Sequence, residues 1–239
     1  MSSILITVCA RGGSKGVLGK NIRPLLGKPL LLHTLDIAKE YSKRHENCPI
    51  YISTDSKDIA KVATDAGFSV PRMRSDHLSG DVIGKTPVIY NALLNAEKDF
   101  KTRFDFVLDL DVTSPLRNLD DIDGCVQMAL KNPQYDVVLS VCESRRNPYF
   151  NMVEEIGGGK ISLCKKGDFK TRQSSPKVYD LNASIYVYRR DFFETGEADR
   201  SCIGPNTGIY VMPASRSWDI DHEEDFAIME ALMEHNHAK

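Results

Sequence analysis

Ile4-Leu5-Ile6-Thr7-Val8-Cys9-Ala10-Arg11-Gly12-Gly13-Ser14-Lys15-Gly16-Val17-Leu18-Gly19-Lys20-Asn21 is the stretch whose reading decides the fold. Residues 4–8 form a short apolar, largely β-branched run, the pattern of a buried strand. Residues 11–21 then hold four glycines, one serine and the cations Arg11, Lys15 and Lys20. Glycines let backbone N–H groups approach a ligand closely. N–H groups with cations beside them form an anion cradle. The same composition also describes a solvated basic loop. Its place directly after the first strand, where open α/β sheets bind ligands, favours the cradle. The spacing fits neither G-x-x-x-x-G-K-[ST] nor G-x-G-x-x-G, which disfavours a P-loop NTPase and a dinucleotide-binding domain.

Outward from that loop, strands are expected at 49–53, 68–70, 104–110, 137–141, 182–188 and 209–212. Helices are expected from Lys28-Pro29 onward, from Ser56 to Gly67, and over 88–98, 119–131 and 223–235. Ser56 and Asn118 stand at helix starts as capping residues, and Gly67 at a helix end. Strand–helix alternation predicts an α/β fold: an open, mostly parallel sheet with helices on both faces, Rossmann-like in outline. The alternation breaks at about 144–180, where Gly157-Gly158-Gly159 separates two short runs that read as a hairpin. Such an excursion serves either as an interaction arm or as a plain surface hairpin.

The chain has 239 residues, which fits one domain over 1–239 that includes this excursion. A net charge of −2 removes the electrostatic case for a nucleic-acid or membrane partner. No apolar run approaches the ~18–20 residues of a membrane span, and no signal peptide is visible. Six scattered cysteines without a C-x-x-C pattern read as reduced thiols of a cytoplasmic protein. The His235 and His237 pair reads as a frayed terminus rather than a metal site.

Asp219 and Asp221 flank Ile220. In an extended segment both carboxylates share one face, and neighbouring carboxylates call for a cation between them. Mg²⁺, or another divalent cation, held by one or two aspartates and substrate phosphates is the usual arrangement. Asp221 with Glu224 also reads as a capping box for the last helix. Asp111 ends the central strand, where a carboxylate faces the ligand crevice. It reads either as a ligand of that metal or as a hydrogen-bond acceptor for substrate.

Arg11, Ser14, Lys15, Gly16, Lys20 and Asn21 fall on the A-R-x-x-S-K-G-x-x-x-K-N loop of the acylneuraminate cytidylyltransferases, which this chain resembles. Thr113-Ser114-Pro115-Leu116-Arg117, Arg74 with Asp81, Arg172-Gln173 and Asn182-Ala183-Ser184-Ile185-Tyr186 match the same family, as does Asp219-Ile220-Asp221. The related Kdo cytidylyltransferases usually carry S-x-R-L-P-G-K-P in the loop, which is absent here. The resemblance spans nearly the whole chain. It implies a nucleotide-diphospho-sugar-transferase-like fold, a homodimer formed through the excursion, and transfer of CMP from CTP to a nonulosonic acid.

By the same resemblance, Ala10, Arg11, Gly12, Gly13, Ser14, Lys15, Lys20, Asn21, Arg74 and Asp81 bind CTP. Asp111, Thr113, Ser114, Phe150, Arg172, Gln173, Asp180 and Asn182 would shape the sugar pocket. Arg11, Lys15, Lys20, Asp219 and Asp221 carry the catalysis, the aspartates through the metal. Phe150 and Asp180 stand where sialic-acid enzymes commonly use cations. With the strings around 146–151 and 179–184, they place the chain nearer the legionaminic-acid branch. The alternatives are Kdo activation and a non-catalytic nucleotide-binding domain of the same fold.

Overall fold

The computed structural model describes residues 2–14, 16–46, 48–80, 82–194 and 200–237. In chain order its elements are β1 (Ile4–Cys9), the two-residue partners β2 (Pro24–Leu25) and β3 (Lys28–Pro29), α1 (Leu30–Arg44), β4 (Ile50–Ser53) and α2 (Lys57–Asp65). They continue with α3 (Lys85–Phe100), β5 (Phe106–Leu110), α4 (Leu119–Lys131) and β6 (Val137–Glu143). After these come β7 (Val153–Glu155), β8 (Ile161–Leu163), β9 (Tyr179–Arg189), β10 (Thr207–Val211) and α5 (Glu223–His237).

Six strands form one sheet in the order β10-β6-β9-β5-β1-β4. β1 pairs in parallel with β4 and β5, and β10 pairs in parallel with β6. β9 lies antiparallel between β5 and β6. The expected mostly parallel α/β sheet is therefore present. β9 reverses because the chain reaches it through the hairpin of β7 and β8, not through a crossover helix.

Helices cover both faces, and residue parity assigns each strand side chain to one of them. Ile4 and Ile6 of β1 and Leu108 and Leu110 of β5 pack with Ala38 and Tyr41 of α1 and Ile122 and Val126 of α4. Leu5 and Val107 face the other way, onto Ile89, Ala92, Leu93 and Ala96 of α3. Thr7, Cys9 and Asp109 have the parity of the α3 face. Thr7 is in register with Asp109, and Asp109 with Tyr186 of β9. A polar row thus crosses three strands beneath the start of α3.

Three local expectations are corrected. Residues 68–70 are not a strand, because Phe68 N donates to Ala63 O and Gly67 N to Thr64 O. These bonds close α2 in a Schellman turn, with Gly67 at φ 82°. Pro29 is extended and precedes α1 instead of opening its first turn. α3 begins at Lys85, ahead of the expected 88, because Pro87 in a first turn forfeits no intrahelical bond. Ser56 and Asn118 cap α2 and α4 as expected, the latter in a box with Asp121. No described helix is long and apolar enough to cross a membrane.

Arg117, from the T-S-P-L-R run, is buried and pins three elements. It donates to Ser184 O of β9 at 2.9 Å, to Thr34 Oγ1 of α1 at 2.7 Å and to Asp111 O beyond β5. Burial pushes its guanidinium down to about 10, against the pull of Asp111, so it stays charged at neutral pH. Arg117→Met should strand these buried acceptors. A loss of about 3 kcal/mol or more in urea unfolding is expected, since each unmet buried polar group costs roughly 1–3 kcal/mol.

Candidate active site

The loop after β1 is held from both sides. Gly12 N donates to Asp55 Oδ1 at 3.0 Å, and Arg74 reaches the same oxygen at 3.3 Å. Asn21 Nδ2 donates to Arg11 O at 2.8 Å. Val17 is buried with the side chains of α1 and α5, so the loop is anchored in the core. Gly19 takes φ 64°, where a left-handed turn leads into the single turn Lys20–Ile22.

The carboxylate pair approaches this loop from the far end of the chain. Ile220 is fully buried and its N–H donates to Thr113 O at 3.0 Å, with Asp219 and Asp221 on either side. Lys20 Nζ donates to Ile220 O at 2.6 Å and Asp221 Oδ1 at 3.2 Å. Gly16 lies so close that a Cβ there would stand 2.2 Å from Asp221 O. The Asp221–Glu224 capping box is not formed. Asp225 Oδ2 instead accepts from the N–H groups of Asp221 and His222, at 2.8 and 2.7 Å. This leaves the Asp221 carboxylate out of the cap. Burial, then Asp221 and Asp111, raise the Asp219 carboxyl above its ordinary value.

No group of three or more His, Cys, Asp or Glu side chains is placed to hold a metal among the described residues. The donor set is two carboxylates whose repulsion is only partly answered by Lys20. It fits a hard divalent cation that arrives with phosphate ligands.

Two cavities, of about 290 and 280 Å³, share Cys9, Arg11 and Asp111 and form one crevice. The first adds Arg74 and Lys85, and the second adds Ser14, Lys20, Thr113 and Asp221. Arg74 is buried rather than a solvated surface charge. Ala10 lies in the core, and Gly12 and Gly13 lie in the loop between the two walls. Lys15 and Asp81 lie outside the described residues.

Other expected residues stand apart from the crevice. Ser114 and Asn182 are buried, and Ser114 Oγ donates to Asn182 O at 3.1 Å. Asn182 Oδ1 accepts from Ser140 Oγ at 2.7 Å, which gives both residues a structural setting beneath the surface. Arg172 and Gln173 line a separate cavity of about 480 Å³ in the excursion, where Arg172 donates to Ser144 O at 2.6 Å. Phe150 and Asp180 also lie on the excursion, both exposed.

Lys85, Asp109 and Asp55 carry site geometry that the sequence reading passed over. Lys85 Nζ is 2.8 Å from Asp109 Oδ2 and 2.6 Å from Asp111 Oδ2. Burial alone would lower the Lys85 pKa, but the two carboxylates hold it well above lysine's ordinary value. Burial would raise the Asp111 carboxyl, yet Lys85 and the Thr113 N–H keep it below. The signal was available: a carboxylate inside the apolar run 106–110 demands a cation. The Cys9 thiol, pushed well up by burial and by Asp109, stays protonated and is no nucleophile.

A crevice lined by guanidinium and ammonium groups, with Asp221 at its edge, stands where open α/β sheets bind their ligands. The family model described as cytidylyltransferase matches residues 5–234, and the chain belongs to that family. It is 45% identical over 233 residues to post-translational flagellin modification protein B of Campylobacter coli, covering 98% of this chain and 96% of that protein. It is 44% identical, with the same coverage, to CMP-N,N'-diacetyllegionaminic acid synthase of Campylobacter jejuni. The solved structure of CMP:2-keto-3-deoxy-manno-octonic acid synthetase complexed with CTP superposes with a TM-score of 0.71 at 17% identity. That match covers 98% of this chain and 100% of the other, and it shows a shared fold.

Gly16→Ala should force the loop away from the Asp221 carbonyl. A misplacement near 1 Å costs up to about 100-fold in rate. CTP-dependent turnover should therefore fall at least ~10-fold, with little change in thermal midpoint because the substituted position is exposed. Steady-state kinetics beside a melting curve checks both.

Proposed function

We propose that the protein transfers CMP from CTP to a nine-carbon 2-keto sugar acid, with legionaminic acid favoured over N-acylneuraminate, and releases pyrophosphate. The observation that carries the reading is the meeting of Arg11, Lys20 and Arg74 with Asp221 in one crevice, Asp219 standing two residues from Asp221 across the buried Ile220. The near relative named as a legionaminic acid synthase supports the choice of sugar.

Arg11, Lys20 and, from its motif, Lys15 would hold the triphosphate. The sugar's anomeric hydroxyl forms the new bond to the α-phosphorus, the bond to the β-phosphate bridging oxygen breaks in line, and the hydroxyl proton leaves to solvent. Arg11 and Lys20 balance the charge that grows on the departing pyrophosphate, so positioning and electrostatics do the catalytic work. A divalent cation, with Asp219 and Asp221 as its protein ligands, would supply further charge neutralisation on the phosphate oxygens. Arg74 and, from its motif alone, Asp81 would serve the nucleotide, and Asp111 and Thr113 the acceptor. Residues 1–239 then act as one cytidylyltransferase domain, and a CTP-dependent reaction of this kind belongs in the cytoplasm.

The second half of the proposal is a homodimer through the excursion. Phe150, Met152, Val153, Ile156, Ile161 and Leu181 expose apolar surface there. Arg172 and Gln173 line a cavity other than the two that Asp111 lines. A second copy would cover that surface and bring an arginine suited to a sugar carboxylate toward the crevice. Phe150 offers an apolar wall and Asp180 only acceptors at neutral pH, which suits a 9-deoxy, 7-acetamido sugar.

Pyrophosphate release should require CTP, stop with EDTA and return with excess Mg²⁺. Legionaminic acid should be preferred by roughly 5- to 150-fold, the cost of a hydroxyl buried without a partner. No release with either sugar ends the reading. Ile156→Asp with Ile161→Asp should convert a dimer to a monomer by sedimentation, leaving CTP affinity within about threefold while sugar turnover falls. A fully active wild-type monomer removes the dimer.

A further inference from the structure

Lys85 and Asp109 have no part in the transfer as described above. Parity puts Thr7, Asp109 and Tyr186 in one row, and α3 delivers Lys85 above it. Asp109 is fully buried; its Oδ1 accepts from Thr7 Oγ1 at 2.7 Å, and its Oδ2 lies 2.8 Å from the Lys85 ammonium. That ammonium also lies 4.1 Å from the centroid of the Tyr186 ring, a cation–π contact that fixes it from a further side.

Asp111 and Lys85 are partly exposed, with 22% and 30% of their side chains accessible, and Asp111 is the carboxylate that lines both halves of the crevice. A carboxylate offers about four acceptor positions. Thr113 N and Oγ1 occupy two on Oδ1, at 3.3 and 3.2 Å, and Lys85 occupies one on Oδ2 at 2.6 Å. One acceptor position on Oδ2 is left. One ammonium against two carboxylates leaves the cluster with a net negative charge. The position left on Asp111 therefore takes a hydrogen-bond donor.

We propose that Lys85 is a positioning residue. It clamps Asp111 to Asp109 so that Asp111 presents one acceptor oxygen to a hydroxyl or acetamido N–H of the acceptor sugar. The inference rests on the sugar-acid reading above. Without the ammonium, two carboxylates two residues apart on one strand face repel each other. Asp111 then turns away or takes up a proton, and in either case the acceptor is lost. A neutral amide at 111 weakens the contact, because it has one acceptor oxygen instead of two and carries no charge.

The test uses full-length Asp111→Asn, Lys85→Gln, Lys85→Arg and the double variant Lys85→Gln/Asp111→Asn. Thermal midpoint, CTP affinity by calorimetry without sugar, and sugar kcat and KM at saturating CTP are read for each. Asp111→Asn and Lys85→Gln should each lower sugar kcat/KM roughly 10- to 100-fold, the worth of a hydrogen bond to a charged group. CTP affinity should stay within about threefold, and the double variant should be no worse than the poorer single, as coupled residues behave. Lys85→Arg keeps the charge and should restore part of the loss.

Lys85→Gln leaves Asp109 buried without a cation. If it does not fold, Asp111→Asn, which keeps the Asp109–Lys85 pair, decides together with Lys85→Arg. Sugar kcat/KM within about threefold of wild type in Asp111→Asn overturns the proposal. So does a loss in Lys85→Gln confined to CTP affinity. A wild type that turns over neither sugar ends the transfer reading and this inference together. An active wild type with an unaffected Asp111→Asn ends this inference alone.

Discussion

A carboxylate sealed in the middle of a sheet must meet a cation, and the pairing of Asp109 with Lys85 organises the structure around that need. Asp109 has Val107 as its same-face neighbour, and so it faces α3. The helix that answers it is the one that starts over the carboxyl ends of β1 and β5. Starting α3 at Lys85 puts the ammonium within reach and brings Gly84 and Ile83 to the crevice wall. Removing one partner of a buried ion pair costs about 3–5 kcal/mol, far more than the pair gains over an apolar substitute. The cluster is therefore better explained by what it presents to the crevice than by stability.

The second constraint is the closure of the chain's two ends on each other. Lys20 and the Asp219–Asp221 segment are 200 residues apart in the chain at the Ile220 carbonyl contact. Gly16 allows that contact at backbone distance, and Arg23 reinforces it by pairing with Glu223 and lying 4.4 Å from the centroid of the Phe226 ring. On the opposite side, Asp55 joins Gly12 to Arg74. The loop after β1 is thus suspended between two carboxylate-bearing walls. That explains how a loop so rich in glycine is held in one place.

Arg117 shows how a motif specific to a family serves the architecture. Its guanidinium fastens the antiparallel β9 to α1 and to the end of β5. Ser114 and Asn182 add the neighbouring bond. The motif residues split accordingly: Thr113 opens to the crevice, while Ser114 and Arg117 hold up the strand beneath it.

The sequence by itself determined the alternation of strands and helices, the caps at Ser56 and Asn118, the loop after β1 and the acidic pair before α5. Each of these is written in residues close together in the chain, through periodicity, capping chemistry or glycine and charge content. Only the tertiary structure decided that β9 runs antiparallel and that residues 68–70 close a helix instead of forming a strand. It also decided that Asp225, not Asp221, caps α5, and that Lys85 rather than a loop cation answers Asp109. It set Arg172 and Gln173 in a cavity of their own. Those outcomes depend on which strand lies beside which and on which helix covers a given face. They are settled by pairing and burial between residues tens to hundreds of positions apart, where local pattern carries no information.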